Sequence, residues 1–369
     1  CDGDPMKRKR VEHRVLGGEC GPTGHDSPLA GRHTLLTLIL VTGQLFCSTS
    51  SFAQDIHFSQ FFQTPYALTP GSIGLFDGDH RVAGVFRQQW RAVTTPYRTL
   101  GLGGDAAHAF GVDQLGAGSW LYNDRAGDSR FNTFQISLGG SWTERFGDRK
   151  EHSLTGGLQF GITAISINYS ELQFDNQYNG YYFDPSLSNG ETFARDALTH
   201  VDLHVGGVYR YHPAKRELVQ VGLGLFNLTK PQIGFFSTEG DPLDRRTSFH
   251  ILTQFPVSEK VDVLPMFQYM GQGPFSELDL GGTVRYIMKD HYGILRAVQG
   301  GLFYRASDAG YLYAGLERDD WTFGLSYDIN FSDLVPASRN RGGIEFTAVH
   351  VFRKRPAVPA RFKACPDLL

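Results

Sequence analysis

Between Trp321 and Asn330 the chain reads WTFGLSYDIN, in which Trp321, Phe323, Leu325, Tyr327 and Ile329 alternate without a break against Thr322, Gly324, Ser326, Asp328 and Asn330. A period of two puts the first set on one face of a β-strand and the second set on the other. About ten residues is also the length a tilted strand needs to cross the hydrocarbon core of a bilayer. Half-buried strands of water-soluble sandwiches alternate too, so the reading depends on whether the rest of the chain repeats the pattern.

It does. Val201, Leu203, Val205, Tyr209 and Tyr211 oppose His200, Asp202, His204, Arg210 and His212, and Leu278, Leu280, Val284 and Tyr286 oppose Glu277, Asp279, Thr283 and Arg285. From His80 onward we count about fourteen such segments, from Arg81–Trp90, Thr99–Phe110 and Val112–Asn123 to Trp321–Asn330 and Gly342–Phe352. The even number suits a bacterial outer-membrane barrel. The long connections, Asn168–Thr199, Leu228–Arg246 and Phe331–Arg341, all follow odd-numbered strands, whereas those after even strands, such as Pro213–Arg216 and Ser258–Glu259, are short. A membrane barrel with both termini in the periplasm sorts its loops this way, long ones outside and short turns inside. A soluble β-protein has no reason to. The expected fold is all-β: a transmembrane antiparallel β-barrel of about 14 strands over residues 80–353, with polar residues in the lumen and aromatic girdles at Trp90, Trp142, Tyr211, Trp321 and Phe352.

Composition agrees: 13% aromatic residues and 44 glycines, against only 4 methionines, describe a β-rich chain. The formal net charge of −3 speaks against nucleic acid as a partner. Leu35–Phe46 is an apolar run of about twelve residues, signal-peptide length and too short to span as a helix. Small residues at Ser51 and Ala53 place cleavage near Ala53-Gln54, making residues 1–53 a leader (1–31 an over-extended start) and the protein exported. Phe46 is too bulky before Cys47 for a lipoprotein site. Of the cysteines only Cys365 remains in the mature chain, which excludes an internal disulfide. Residues 54–79, rich in Pro and Gly, read as an N-terminal periplasmic segment, and 354–369 as a periplasmic tail.

Three stretches resemble the PorP/SprF family of outer-membrane proteins from the type IX secretion and gliding systems of Bacteroidetes. The opening QDIHFSQFFQTPYALTPGSIG is similar to the family's Gln-Asp-Pro-His-Phe-Ser-Gln start with its later Asn-Pro; RVAGVFRQQW is similar to its Arg-x-Gln-Trp strand; and GLSYDINFSDLVPASRNRGGIEFTAVHVF is similar to its Ser-Tyr-Asp-Ile-Asn and Gly-Gly-x-Glu block. Ile56 and Thr69-Pro70-Gly71 depart from the usual Pro and Asn-Pro-Ala. The resemblance implies a barrel that works with the type IX machinery, assisting secretion or surface anchoring of a large adhesin-like protein by binding its C-terminal domain. Expected partners are that protein, periplasmic ring or motor components and outer-membrane lipid. It marks His57, Phe58, Ser59, Gln60, Pro70, Gln89, Trp90, Tyr327, Asp328, Asn330, Gly342, Gly343 and Glu345 as family-motif candidates for partner binding.

Other chemistry is weaker. His200, Asp202, His204 and His212 share a strand face, but alternate positions lie about 7 Å apart, so one strand cannot wrap a metal; no metal or cofactor is expected. Asp105, Asp202, Glu277 and Asp279 carry no nucleophile motif, and no enzymatic activity is expected. The glycine-rich Gly101–Asp105 and Gly222–Phe226 lack the helix a phosphate loop needs. The loop Asn176–Asn189 is either a partner surface or a solvated loop, and Asp328 and Asn330 are expected to point inward and anchor the last long loop. The alternative to a secretion partner is a porin-like solute channel, and an open or filled lumen separates the two.

Overall fold

A computed structural model describes residues 56–89, 95–237, 240–291, 294–331 and 340–353. The expected leader with its cleavage site at Ala53-Gln54, Trp90, and the tail with Cys365 lie outside the described residues.

Fourteen strands close into one antiparallel barrel. The first half comprises β1 (His80–Gln89), β2 (Tyr97–Ala106), β3 (Leu115–Ala126), β4 (Phe131–Phe146), β5 (His152–Ser166), β6 (Ala197–Tyr211) and β7 (Leu218–Phe226). A small hairpin, β8 (Gln232–Ile233) with β9 (Asp241–Pro242), sits in the following connection. The second half comprises β10 (Arg246–Pro256), β11 (Val261–Gln272), β12 (Phe275–His291), β13 (Ile294–Arg305), β14 (Ala309–Arg318), β15 (Trp321–Asn330) and β16 (Arg341–Phe352). Each barrel strand pairs with the next barrel strand in sequence, β7 with β10 across the small hairpin, and β1 closes the ring on β16 with His80 opposite Phe352. Closure leaves no unpaired strand edge, which a lipid environment demands. Among the described residues no helix is long and apolar enough to cross a membrane.

The period-two pattern becomes an inside and an outside. On β15, Leu325, Tyr327 and Ile329 are exposed on the outer wall, while Ser326, Asp328 and Asn330 are buried in the lumen. The outer wall carries an apolar belt that includes Leu138, Leu158, Phe160, Leu280, Leu302 and Leu312. The loops sort as expected: the connections after β5, β7 and β15 are long and share one end of the barrel, opposite the end where β1 begins and β16 finishes. Boundaries differ at several strands, β3 running Leu115–Ala126 instead of Val112–Asn123; at β2, His108 and Phe110 adopt left-handed backbone conformations, with φ of 54° and 55°, beside Gly111, and the strand stops at Ala106 instead of running to Phe110.

The core of the molecule lies in the lumen, and the N-terminal segment makes it. The expectation that residues 54–79 stand in the periplasm is corrected for 56–75, which thread the barrel interior as two 3-10 turns (Phe61–Gln63 and Pro70–Ser72) around a one-turn helix (Pro65–Leu68). The reason is apolar content: Phe58, Tyr66 and Ile73 pack against Val85, Trp120, Tyr122 and Val349 on one wall, and Phe61 and Leu68 pack against Met266, Phe303, Tyr311 and Tyr313 on another. Both clusters remove aromatic and aliphatic surface from water that an extended segment would expose.

Candidate functional site

The densest polar constellation centres on Ser59, which is wholly buried. Its hydroxyl donates to both oxygens of Asp328, at 2.8 and 3.0 Å, and accepts from the Arg305 Nη2 at 2.9 Å and from Arg87 Nη1. Its backbone N–H donates to Glu345 Oε2 at 2.9 Å, and that of Gln60 to Glu345 Oε1 at 2.8 Å. One carboxylate thereby satisfies two consecutive amides of a non-helical, non-sheet segment, the task such buried backbone imposes. Arg87 bridges Glu345 at 2.9 Å and Asp328 at 3.0 Å. Arg305 joins Asp328 and Asp308, each at 3.3 Å, to Asp279 at 3.3 Å and Glu277 at 3.5 Å. His57 Nδ1 lies 3.5 Å from Glu277. Gln60 completes the tie: its amide nitrogen donates to the Glu345 carbonyl at 2.9 Å, and its oxygen accepts from Thr347 at 2.6 Å.

Local sequence explains how these groups converge. Arg87 follows Ala83 and Val85 on the inward parity of β1, and Asp328 and Glu345 hold that parity on β15 and β16. The β15–β16 ladder shifts register between Tyr327 and Ile329, opposite Gly342 and Gly343. A side chain at Gly342 would collide with the Asp328 backbone, so glycine lets the bulge bring Asp328 inward beside Glu345.

A second tie fixes the segment's other end. Asp105 on β2 accepts from the Tyr66 hydroxyl at 2.9 Å, from the Gly74 N–H at 2.7 Å and from both Arg81 Nε and Nη2, at 3.0 and 2.6 Å. Between the two ties the backbone lies on wall glycines. A Cβ on Gly157 would strike the Pro70 carbonyl, and one on Gly206 the Thr69 hydroxyl, which donates to the Leu223 carbonyl at 2.9 Å.

The structure therefore gathers His57, Phe58, Ser59, Gln60, Asp328, Glu345, Gly342 and Gly343 into one neighbourhood, with Pro70 buried lower on the segment. Tyr327 faces outward, and Asn330 is buried beyond Asp328. The expectation that Asp328 anchors the last loop is corrected: its carboxylate is taken by Ser59, Arg87 and Arg305, and the loop ends are tied by Asn340 Nδ2 donating to the Asn330 carbonyl at 3.1 Å, the Asn330 N–H donating to the Asn340 carbonyl at 3.3 Å and the Phe331 N–H donating to the Asp308 carbonyl at 2.9 Å. Arg305 lies outside the motifs, Arg87 belongs to the Arg-x-Gln-Trp stretch without being a named candidate, and Asp105, weighed for catalysis, holds the segment instead. The histidines part company: His200 meets Asp202 at 3.0 Å, while His204 accepts from the Asn227 N–H at 3.1 Å. The loop Asn176–Asn189 exposes Tyr181 at 90% and Tyr182 at 63%.

Above the segment, at the long-loop end, a cavity of ≈ 450 Å³ is floored by Ile56 and His57 and walled by β1–β6 residues including Gln89, Tyr122 and Phe131, with Asn227, Ile233 and Leu243 from the connection after β7.

No curated protein matches the chain. Among solved structures it is similar to the CymD monoaromatic hydrocarbon channel (9% identity, covering 80% of this chain and 94% of that one, TM-score 0.45). It is also similar to the Pseudomonas putida toluene transporter TodX (12% identity, 81% and 94%, TM-score 0.45) and to a Pseudomonas aeruginosa FadL homologue (10% identity, 78% and 94%, TM-score 0.41). Residues 50–349, which include the Ser59, Arg87, Asp328 and Glu345 constellation, match the model of the type IX secretion system membrane protein family PorP/SprF, and the chain belongs to that family.

Proposed function

We propose that this outer-membrane barrel is a closed docking platform: it assists secretion or surface anchoring of a large cognate surface protein by binding that protein's C-terminal domain, and it performs no catalysis. The observation that carries this reading is the filling of the lumen. Segment 56–75 packs on β1, β3 and β16 through one apolar cluster, on β11, β13 and β14 through another, and on β5–β7 through its backbone. The porin-like channel of the alternative reading conducts through a water-filled lumen. Binding then falls to the barrel's two ends. The long-loop end offers the exposed tyrosines of the β5–β6 connection, residues suited to recognition, and the opposite end is where ring or motor components of the secretion system would meet the barrel. The test is surface proteomics on a strain lacking this gene, with protease shaving of intact cells. Loss of one or a few large surface proteins, the others unchanged, is the expected result; an unchanged surface with altered small-solute uptake would overturn the proposal in favour of a channel.

A further inference from the structure

Charge compensation inside the barrel is uneven. Asp105 has Arg81, Asp262 has Arg216 and Arg285, Glu317 has Arg285, Glu277 and Asp279 have Arg305, and Asp328 and Glu345 have Arg87. Two inward carboxylates have no guanidinium or ammonium within ion-pair distance among the described residues: Asp124 on β3 and Asp202 on β6. Both line the same cavity of ≈ 450 Å³ at the long-loop end. Asp124 receives one hydrogen bond, from the Thr99 hydroxyl at 2.6 Å. Asp202 Oδ2 accepts from the neutral donors Thr163 at 2.5 Å and Gln135 at 3.3 Å, while Oδ1 lies 3.0 Å from His200 Nδ1 without a hydrogen bond. The His200 ring, 8% exposed and lining the same space, has no hydrogen-bond partner on either nitrogen. Around these polar groups stand Tyr97, Tyr122, Phe131 and Ile165.

A buried carboxylate is retained where a cation compensates it. Elsewhere in this lumen the chain places that cation within ion-pair distance; here, among the described residues, Asp124 has none and Asp202 has only the His200 ring. We propose that the cavity is a binding site for a cationic side chain on an apolar stem, a lysine or arginine of the surface protein's C-terminal segment. This rests on the docking role proposed above. The ammonium or guanidinium meets Asp124, while the alkyl stem lies along the aromatic wall, as such amphipathic side chains do. The volume lies within the range of about 300–1,000 Å³ typical of ligand pockets and holds a short peptide stretch, not a folded domain. Among the described residues no group of three His, Cys, Asp or Glu is placed to hold a metal ion instead.

The experiment places a photo-crosslinking amino acid at Thr133, in the cavity wall, and separately at Tyr181, on the outer loop, in living cells. Mass spectrometry then maps the captured residues. The expected result is capture of the surface protein from both sites, with the Thr133 cross-link falling beside a lysine or arginine. Asp124→Asn is expected to cut Thr133 capture roughly tenfold, the worth of one charge-assisted hydrogen bond. Asp124→Glu restores it, and Tyr181 capture is unchanged in both variants. Capture from Tyr181 without capture from Thr133 overturns the cavity assignment and leaves the docking role standing; failure of both overturns the docking role too. A Thr133 cross-link to a stretch without a basic residue, or one indifferent to Asp124→Asn, also overturns the assignment. So does displacement of the Thr133 cross-link by millimolar spermidine without loss at Tyr181 when no basic residue is mapped, since the cation would then be free in solution.

Discussion

Glu345 shows what a single side chain does in this lumen. It accepts from the Ser59 and Gln60 amides and pairs with Arg87, so its loss strands two backbone donors and leaves Arg87 with Asp328 as its carboxylate, in a site where Glu345 itself is 1% exposed. Leaving a buried donor unsatisfied costs about 1–3 kcal/mol, and Glu345 serves two of them. Glu345→Ala is therefore expected to lower the thermal unfolding midpoint in detergent and to make residues 56–75 susceptible to protease, with Glu345→Gln, which keeps one acceptor, falling between. A protease pattern identical to the parent would show that the carboxylate does not hold the segment. Sequence could assign Glu345 and Asp328 to the inward face, since a period of two fixes the face. It could not say which inward groups meet, because partners are set by register and by a bulge at Gly342 that alternation does not encode. An inward arginine still demands an inward carboxylate, so Arg87 and Arg305 could have been expected to find partners among the inward acids, without the sequence saying which.

The N-terminal segment was the least legible element. Pro65, Pro70, Gly71 and Gly74 read as a connecting stretch, and Phe58, Phe61, Tyr66, Leu68 and Ile73 follow neither helical nor strand period. The missed signal was that those residues are too apolar for a segment standing in water, so they had to find a core. The matching signal lies in the barrel wall. Its inward glycines, including Gly224 of the rejected phosphate-loop stretch, are where the segment's backbone comes close: a Cβ on Gly224 would sit 2.9 Å from the Leu68 carbonyl. This geometry makes the element testable. Gly157→Val or Gly206→Val puts a branched side chain where Pro70 and Thr69 lie and is expected to expel the segment, seen as new single-channel conductance in planar bilayers and as sensitivity of cells to a large antibiotic. Gly156→Val, next in sequence but on the outer face with nothing within 4 Å, is the control and is expected to leave the bilayer silent. Conductance as high in the parent as in Gly157→Val would mean that the segment does not seal the lumen.

At the scale of the whole molecule, alternation and loop lengths carried nearly everything: strand number, antiparallel order and closure follow from facts the chain states locally and repeats fourteen times. What they assert physically is that the outer wall meets lipid, and depth is the property that tests it. Leu138 sits midway along β4 and is 65% exposed, whereas Leu154 is exposed near the turn that starts β5, opposite Glu144. An arginine costs about 2–4 kcal/mol at the midplane of a membrane barrel and roughly 0–1 kcal/mol near an interface, where its head reaches water. Leu138→Arg is thus expected to reduce folding yield into lipid vesicles and the stability of the heat-modifiable folded form, while Leu154→Arg leaves both near the parent's. In detergent micelles, whose apolar layer is deformable, the gap between the two should narrow. Equal penalties at the two positions in vesicles would argue that the apolar belt is covered by protein instead of lipid, because a protein partner has no reason to distinguish the middle of a strand from its end.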